Sequence, residues 1–91
     1  MTYYTADQGG AKGANGKSLD PFKSVAVPLA MFRKKNGKLA EIKGVGVVRV
    51  DDACAGGACK DFDIYIGGDI KAQTRLPNWQ AGNIPIEYRW L

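Results

Sequence analysis

Four aspartates crowd the stretch VDDACAGGACKDFDIYIG, residues 50 to 67: Asp51 and Asp52 precede a loop of small residues, and Asp61 and Asp63 follow it. The sequence has no histidine, which excludes Ser-His and Cys-His nucleophilic machinery and histidine-ligated metals. Carboxylates, tyrosines and lysines remain as acid/base groups. Asp52 and Asp63 stand out among them, because a pinched loop would make the flanking strand ends neighbours. Their side chains could then face one cleft, as a protonated acid and an ionised partner must in glycosidic bond cleavage. Asp63 is the better acid, since its apolar neighbours Phe62 and Ile64 and a nearby like charge would both raise its pKa. The competing reading is that all four aspartates are solvated turn residues.

Cys54 and Cys59 are the only cysteines, so a single intramolecular disulfide has one possible pairing. The intervening Ala55-Gly56-Gly57-Ala58 is permissive enough to bring the two Cα atoms within bridging distance. A zinc site is the poorer alternative, because two thiolates need further ligands from Asp51, Asp52 or Asp61. A disulfide implies an oxidising compartment. The segment GANGKS at 13 to 18 contains Gly-Lys-Ser, but its Gly13-x-x-Gly16 spacing is too short for a phosphate loop. Neither a metal nor a cofactor is expected.

These side chains must be positioned by short strands. Thr2–Thr5, Ser24–Val27 closed by Pro28, Leu39–Lys43 and Val45–Val50 all read as strands. Phe62–Ile66 alternates strictly, with Phe62, Ile64 and Ile66 on one face and Asp63 and Tyr65 on the other. Ile84–Leu91 is a terminal strand whose Pro85 favours an edge or strand-start position. Residues 7 to 20 form a long glycine-rich loop, Leu29–Arg33 is a strand or one helical turn, and Ile70–Gln73 is a possible helical turn. Asn36-Gly37 is the signature of a tight hairpin turn. No heptad or long amphipathic helix is present, so the pattern predicts one all-β domain over residues 1–91, a small barrel or sandwich.

With 91 residues, 45% of them apolar, the chain can bury one core. Thirteen Lys and Arg against nine Asp and Glu give +4, which suits a polyanionic partner or surface. The basic residues are scattered apart from Arg33-Lys34-Lys35, without the basic helix or arm of a nucleic-acid binder. No apolar run approaches the roughly 18 residues of a membrane span, and Met1-Thr2-Tyr3-Tyr4 lacks the pattern of a signal peptide.

The segment VVRVDDACAGGACKDFDIYIG resembles the signature of the three-aspartate (3D) domain, the family found in lytic transglycosylase A and related muralytic proteins. The likeness covers roughly residues 18 to 68 and extends to the terminal Gly82 to Leu91. Asp52 takes the place of the first aspartate and Asp63 of the second, with Phe62 before it, Ile64-Tyr65 after it and Gly67 at the close. Lys23-Ser24-Val25-Ala26-Val27 and Gly44-Val45-Gly46 resemble the segments leading into the family's central strands. Pro28 stands where the family carries a further aspartate, and Cys54 and Cys59 stand where it has unbridged residues.

The resemblance implies a six-stranded double-psi β-barrel and a peptidoglycan-cleaving activity at the MurNAc–GlcNAc bond, with Asp63 as general acid/base and Asp52 holding or polarising it. Tyr65, Tyr3, Tyr4, Lys60 and Trp79 are the candidate sugar contacts, together with Trp90. The implied partner is peptidoglycan or another cell-wall polysaccharide, met by a monomer outside the cytoplasm, extracellular or periplasmic. Two alternatives stay open: a non-catalytic expansin-like wall-binding or wall-loosening module, and a secreted protein-recognition or toxin-like module.

Overall fold

A computed structural model describes residues 1–6, 10–54, 59–68 and 84–91. The elements run β1 (Thr2–Tyr4), β2 (Ser24–Pro28), α1 (Leu29–Lys35), β3 (Leu39–Ile42), β4 (Gly46–Cys54), β5 (Asp63–Tyr65) and β6 (Tyr88–Trp90). The strands form one mixed sheet in the order β1-β5-β2-β4-β3-β6. β1 with β5 and β2 with β4 are parallel, and the other pairs are antiparallel. The chain is thus a small, mainly-β fold with six strands and one short helix among the described residues, and the sheet is not closed there. The possible turn at Ile70–Gln73 lies outside those residues.

One face of the sheet builds the main core. Val25 and Val27 of β2, Ala40 and Ile42 of β3, Val48 and Val50 of β4, and Ile64 of β5 pack together with Met1, Phe62 and Ile66. Trp90 of β6 packs against the same cluster. Side chains from strands at opposite sides of one sheet can meet in one cluster only if the sheet curls around that face. Phe62 is the largest fully buried residue, and it sits edge-on to Tyr88 with ring centroids 4.8 Å apart.

Two local expectations are corrected. Asn36-Gly37 is a helix exit rather than a hairpin turn. Leu29–Lys35 is helical, with Met31 and Phe32 packed on the core. The Asn36 N–H donates to the Phe32 carbonyl, and Gly37 leaves the helix at φ +77°, the left-handed exit that glycine adopts without strain. Arg33, Lys34 and Lys35 in the last turn suit the negative end of the helix dipole. The hairpin turn lies instead at Lys43–Val45, between β3 and β4, with Gly44 at φ +86°.

The second correction concerns β4, which does not stop at Val50. It continues through Asp51 and Asp52 to Cys54, paired with β2 throughout. A bulge makes this possible: Val25 pairs with Val50, but the next residue, Ala26, pairs with Asp52, leaving Asp51 as the extra residue. Asp51 is completely buried. Arg49 Nε donates to both of its oxygens at 2.8 Å, Arg49 Nη2 lies 2.7 Å from Oδ2, and the Ser24 hydroxyl and Asn15 amide donate at 2.7 and 3.0 Å. Burial pushes the Asp51 carboxyl up, but these donors and the Arg49 charge outweigh it and hold the group below its ordinary value of 3.8. The same bonds, with one to Asp20, push the Arg49 guanidinium up.

Because the folded-state value of Asp51 is depressed, its stabilisation is fully present above the ordinary carboxylate range and is lost as pH falls through the folded value. Asp51→Asn removes the charge that Arg49, Ser24 and Asn15 address and should cost about 2–3 kcal/mol at neutral pH. Urea unfolding at pH 7 and in acid checks this, with the difference from wild type expected to shrink once the medium is acid enough to protonate Asp51.

Candidate active site

The bulge decides where Asp52 points. Val48 and Val50 face the main core, so strict alternation along β4 would send residue 52 into the same apolar interior. The extra residue at Asp51 shifts the pleat by one, and Asp52 joins the opposite face beside Ala26. On that face one register row crosses four adjacent strands: Asp52 of β4, Ala26 of β2, Asp63 of β5 and Thr2 of β1. The two aspartates are therefore two strand spacings apart, about 10 Å between Cα atoms, with only the Ala26 methyl between them in the row.

A second apolar cluster lies on this face: Tyr4, Leu19, Ala26 and Tyr65 are buried, with Ala6 and Cys54 packed against them. Tyr4 and Tyr65 meet edge to face at 5.4 Å. The Tyr4 hydroxyl donates to Asp52 Oδ2 at 3.0 Å, and the Ala14 and Ala53 N–H groups each donate to Oδ1 at 2.9 Å. Burial, followed by the charge and hydrogen bond of Asp52 and the charge of Asp63, pushes the Tyr4 phenol far up. Tyr4 is thus a fixed neutral donor.

Asp63 is treated differently. It is half-buried, and among the described residues its Oδ1 accepts a side-chain hydrogen bond from the Thr2 hydroxyl at 2.8 Å. Burial raises its pKa, the Thr2 bond and the positive charge at the Met1 amine lower it, and the Asp52 charge raises it again; the net direction is upward. One partly exposed carboxyl is thereby held toward its protonated form beside a second carboxylate anchored by three donors. That pairing can give and take a proton.

The anchoring depends on residues outside the sheet. Residues 10–20 fold over the β4 end, tied by the Lys12–Ser18 bridge and by the bond from the Leu19 N–H to the Ala11 carbonyl. At Gly13 the loop backbone runs so close to β4 that a Cβ there would collide with the Asp51 carbonyl oxygen and carbon. That approach delivers the Ala14 N–H to Asp52. On the other side, the disulfide Cys54–Cys59 joins the end of β4 to the segment before β5, with Cα atoms 5.9 Å apart. Closing so short a loop contributes about 2 kcal/mol.

The other sequence candidates are dispersed. Tyr3 packs against the main core, Lys60 is exposed, and Tyr65 is buried beside Tyr4. Trp90 is half-buried under the Lys35 ammonium, 4.7 Å from its ring centroid. Trp79 lies outside the described residues. Asp61 pairs with the Met1 amine at 2.8 Å and caps the Phe62 N–H, and Asp51 belongs to the Arg49 network. Among the described residues no group of three or more Cys, Asp or Glu could hold a metal ion. Thr2 and the Ala14 N–H were not anticipated. Thr2 shares strand parity with Tyr4, which is a legible signal; a backbone donor from a distant loop leaves none.

A cleft of about 550 Å³ lies elsewhere, between the β3–β4 turn and β6. Its charged lining is already paired, Arg89 with Glu41 at 2.9 Å and Lys43 with Glu87 at 3.4 Å. Comparison of the chain with family models, with curated proteins and with solved structures gives no match.

Two substitutions separate the site's requirements. With its folded-state value raised, ionised Asp63 opposes folding, and stability falls as pH rises from the ordinary carboxylate range through the raised value. Asp63→Asn keeps an acceptor for Thr2 and removes the charge. Its melting temperature at pH 7 should match or exceed that of wild type, with the advantage gone in acid. Gly13→Ala should lift the loop from β4 and destabilise the fold by about 1–3 kcal/mol, with faster hydrogen exchange at the Ala14 amide as the local readout.

Proposed function

We propose that this protein cleaves peptidoglycan by the lytic transglycosylase route, with Asp63 as general acid/base and Asp52 as the fixed charge that tunes it. The reading is carried by the asymmetry of the pair among the described residues: Asp52 accepts from Tyr4, Ala14 and Ala53, whereas Asp63 has Thr2 as its side-chain donor and a pKa pushed upward by burial and by Asp52. Protonated Asp63 gives its proton to the oxygen of the MurNAc–GlcNAc bond as the bond to the anomeric carbon breaks. The muramic 6-hydroxyl then attacks that carbon and returns its proton to the Asp63 carboxylate, leaving a 1,6-anhydro end. One acid of raised pKa suffices, because the nucleophile is intramolecular.

The rest of the reading draws on the same observations. A double-psi β-barrel is supported by the two parallel pairs, β1–β5 and β2–β4, and by the reciprocal bonds of 2.7 and 2.8 Å between the Met1 and Ile84 backbones, which link the β1 side of the sheet to the segment before β6. An extracellular or periplasmic setting is supported by the disulfide, and an anionic wall by the net charge of +4. Among the described residues no helix is long and apolar enough to cross a membrane. Pro28, at the end of β2 in the place of a third carboxylate, favours the expansin-like module as a second reading, in which the same face binds glycan without breaking it.

Digestion of purified peptidoglycan with mass analysis of the products tests both. Release of anhydro-muropeptides, reduced at least a hundredfold in Asp63→Asn, is the expected result. Activity should fall as pH rises through the raised Asp63 value, because the acid form starts the reaction. Glycan binding without release supports the second reading, and neither binding nor release removes both.

A further inference from the structure

Phe22 holds a backbone conformation that its side chain disfavours. It occupies φ +62°, the only residue other than glycine at positive φ among those described, and a bulky side chain there is a strained outlier. It is the third residue of the turn Asp20-Pro21-Phe22-Lys23, closed by the bond from the Lys23 N–H to the Asp20 carbonyl at 3.0 Å. Glycine or asparagine would fill that position without strain. Its ring gains no compensating burial, since Phe22 is 48% exposed.

The turn is held from several directions. The Ser24 N–H donates to the Asp20 carbonyl, the Asp20 N–H to the Ser24 hydroxyl and the Arg49 guanidinium to the Asp20 carboxylate. The Phe22 N–H itself donates to the Tyr65 carbonyl at 2.7 Å. Tyr65 lies two residues beyond Asp63 on β5, which places the attachment point about 7 Å from Asp63 along the strand. A Cβ on Gly67 would sit 3.1 Å from the Pro21 ring and 4.0 Å from the Tyr65 ring, so Pro21 and Tyr65 are close neighbours. A strained residue that the surroundings over-determine is a signature of function rather than of packing. Tyr4 and Tyr65 are buried, whereas Phe22 is an aromatic residue exposed on the turn that bonds to the Asp63 strand.

We infer that Phe22 is a substrate-contacting residue, an aromatic platform that stacks on a sugar ring of the glycan adjacent to the one cleaved at Asp63. The inference rests on the glycan reading of that site. The apolar face of a pyranose is the ligand chemistry that a half-exposed ring, on a turn bonded to the strand that carries Asp63, accommodates. The turn makes the platform rigid, so little side-chain freedom is lost when the glycan docks.

The test measures affinity for a soluble GlcNAc–MurNAc oligosaccharide by calorimetry in the Asp63→Asn background, where the ligand is not consumed, together with melting temperature. Phe22→Gly should raise the melting temperature, because it relieves the turn, and weaken binding by roughly tenfold. Phe22→Tyr and Phe22→Trp should keep near-parental affinity. Loss of binding with a higher melting temperature rules out misfolding as the cause. Unchanged affinity in Phe22→Gly overturns the platform and leaves Asp63 as the acid, whereas Phe22-dependent binding by a wild-type protein that releases no product upholds the platform and removes the cleavage reaction. Absence of binding by the Asp63→Asn parent also overturns the platform.

Discussion

A buried carboxylate must be met by donors or lose its charge, and Asp51 meets that condition at the one place where the β2–β4 ladder slips. Its oxygens are occupied by Arg49, Ser24 and Asn15, drawn from β4, β2 and the 10–20 loop. Because Ser24 lies on the face opposite Val25 and Val27, these contacts also fix the side of the sheet to which Asp51 turns. The next residue then pairs with Ala26 and cannot return to the core. The position of Asp52 is thus set by an ion pair in which Asp52 takes no part. Restoring plain alternation would place Asp52 among Val48, Val50 and Phe62, where an ionised group is not tolerated.

The chemistry of the row follows from unequal support. Tyr4, Ala14 and Ala53 donate to Asp52, so its carboxyl group stays where the fold puts it. Asp63 lies across Ala26 on β5, a short strand between β1 and β2, with Thr2 as its side-chain donor. At Asp63, burial and the Asp52 charge outweigh the Thr2 bond and the Met1 amine, and its pKa moves up. Ala26 separates them in the row and is itself buried with Tyr4, Leu19 and Tyr65.

Parts of this were legible in the residue pattern. The alternation of Phe62 to Ile66 assigned Asp63 and Tyr65 to the face away from the core, because period-2 patterning is local and survives tertiary context. The valine-rich strand and the bridge between Cys54 and Cys59 were legible for similarly local reasons. The bulge was not, since it is stabilised by Asn15, Ser24 and Arg49, whose meeting with Asp51 spans up to 36 positions of sequence. Asn36-Gly37 was misread because the dipeptide serves hairpins and helix exits equally. The choice was made by Met31 and Phe32, whose docking on the core makes a seven-residue helix worth forming. Phe22 carried no signal at all, as nothing in Asp-Pro-Phe-Lys announces a residue at positive φ.

The sheet alone does not complete the site, and this bears on how it is maintained. β1 and β5 are three residues each, too short to hold a carboxyl pair rigidly by ladder bonds. The added constraint comes from non-strand segments: the Gly13 crossing, the Ala14 N–H and the disulfide at Cys54 act at the end of β4, and the turn at Phe22 bonds to Tyr65 of β5. Each fixes a different end of the row, Ala14 and Cys54 on the Asp52 side and Phe22 on the Asp63 side. Loops that cross a sheet this closely are unusual, because backbone groups at a contact need partners. Here the partners are β4 and β5 themselves. The same bonds that satisfy the loop backbone therefore position the acids, and loop order and site geometry are one property of the fold.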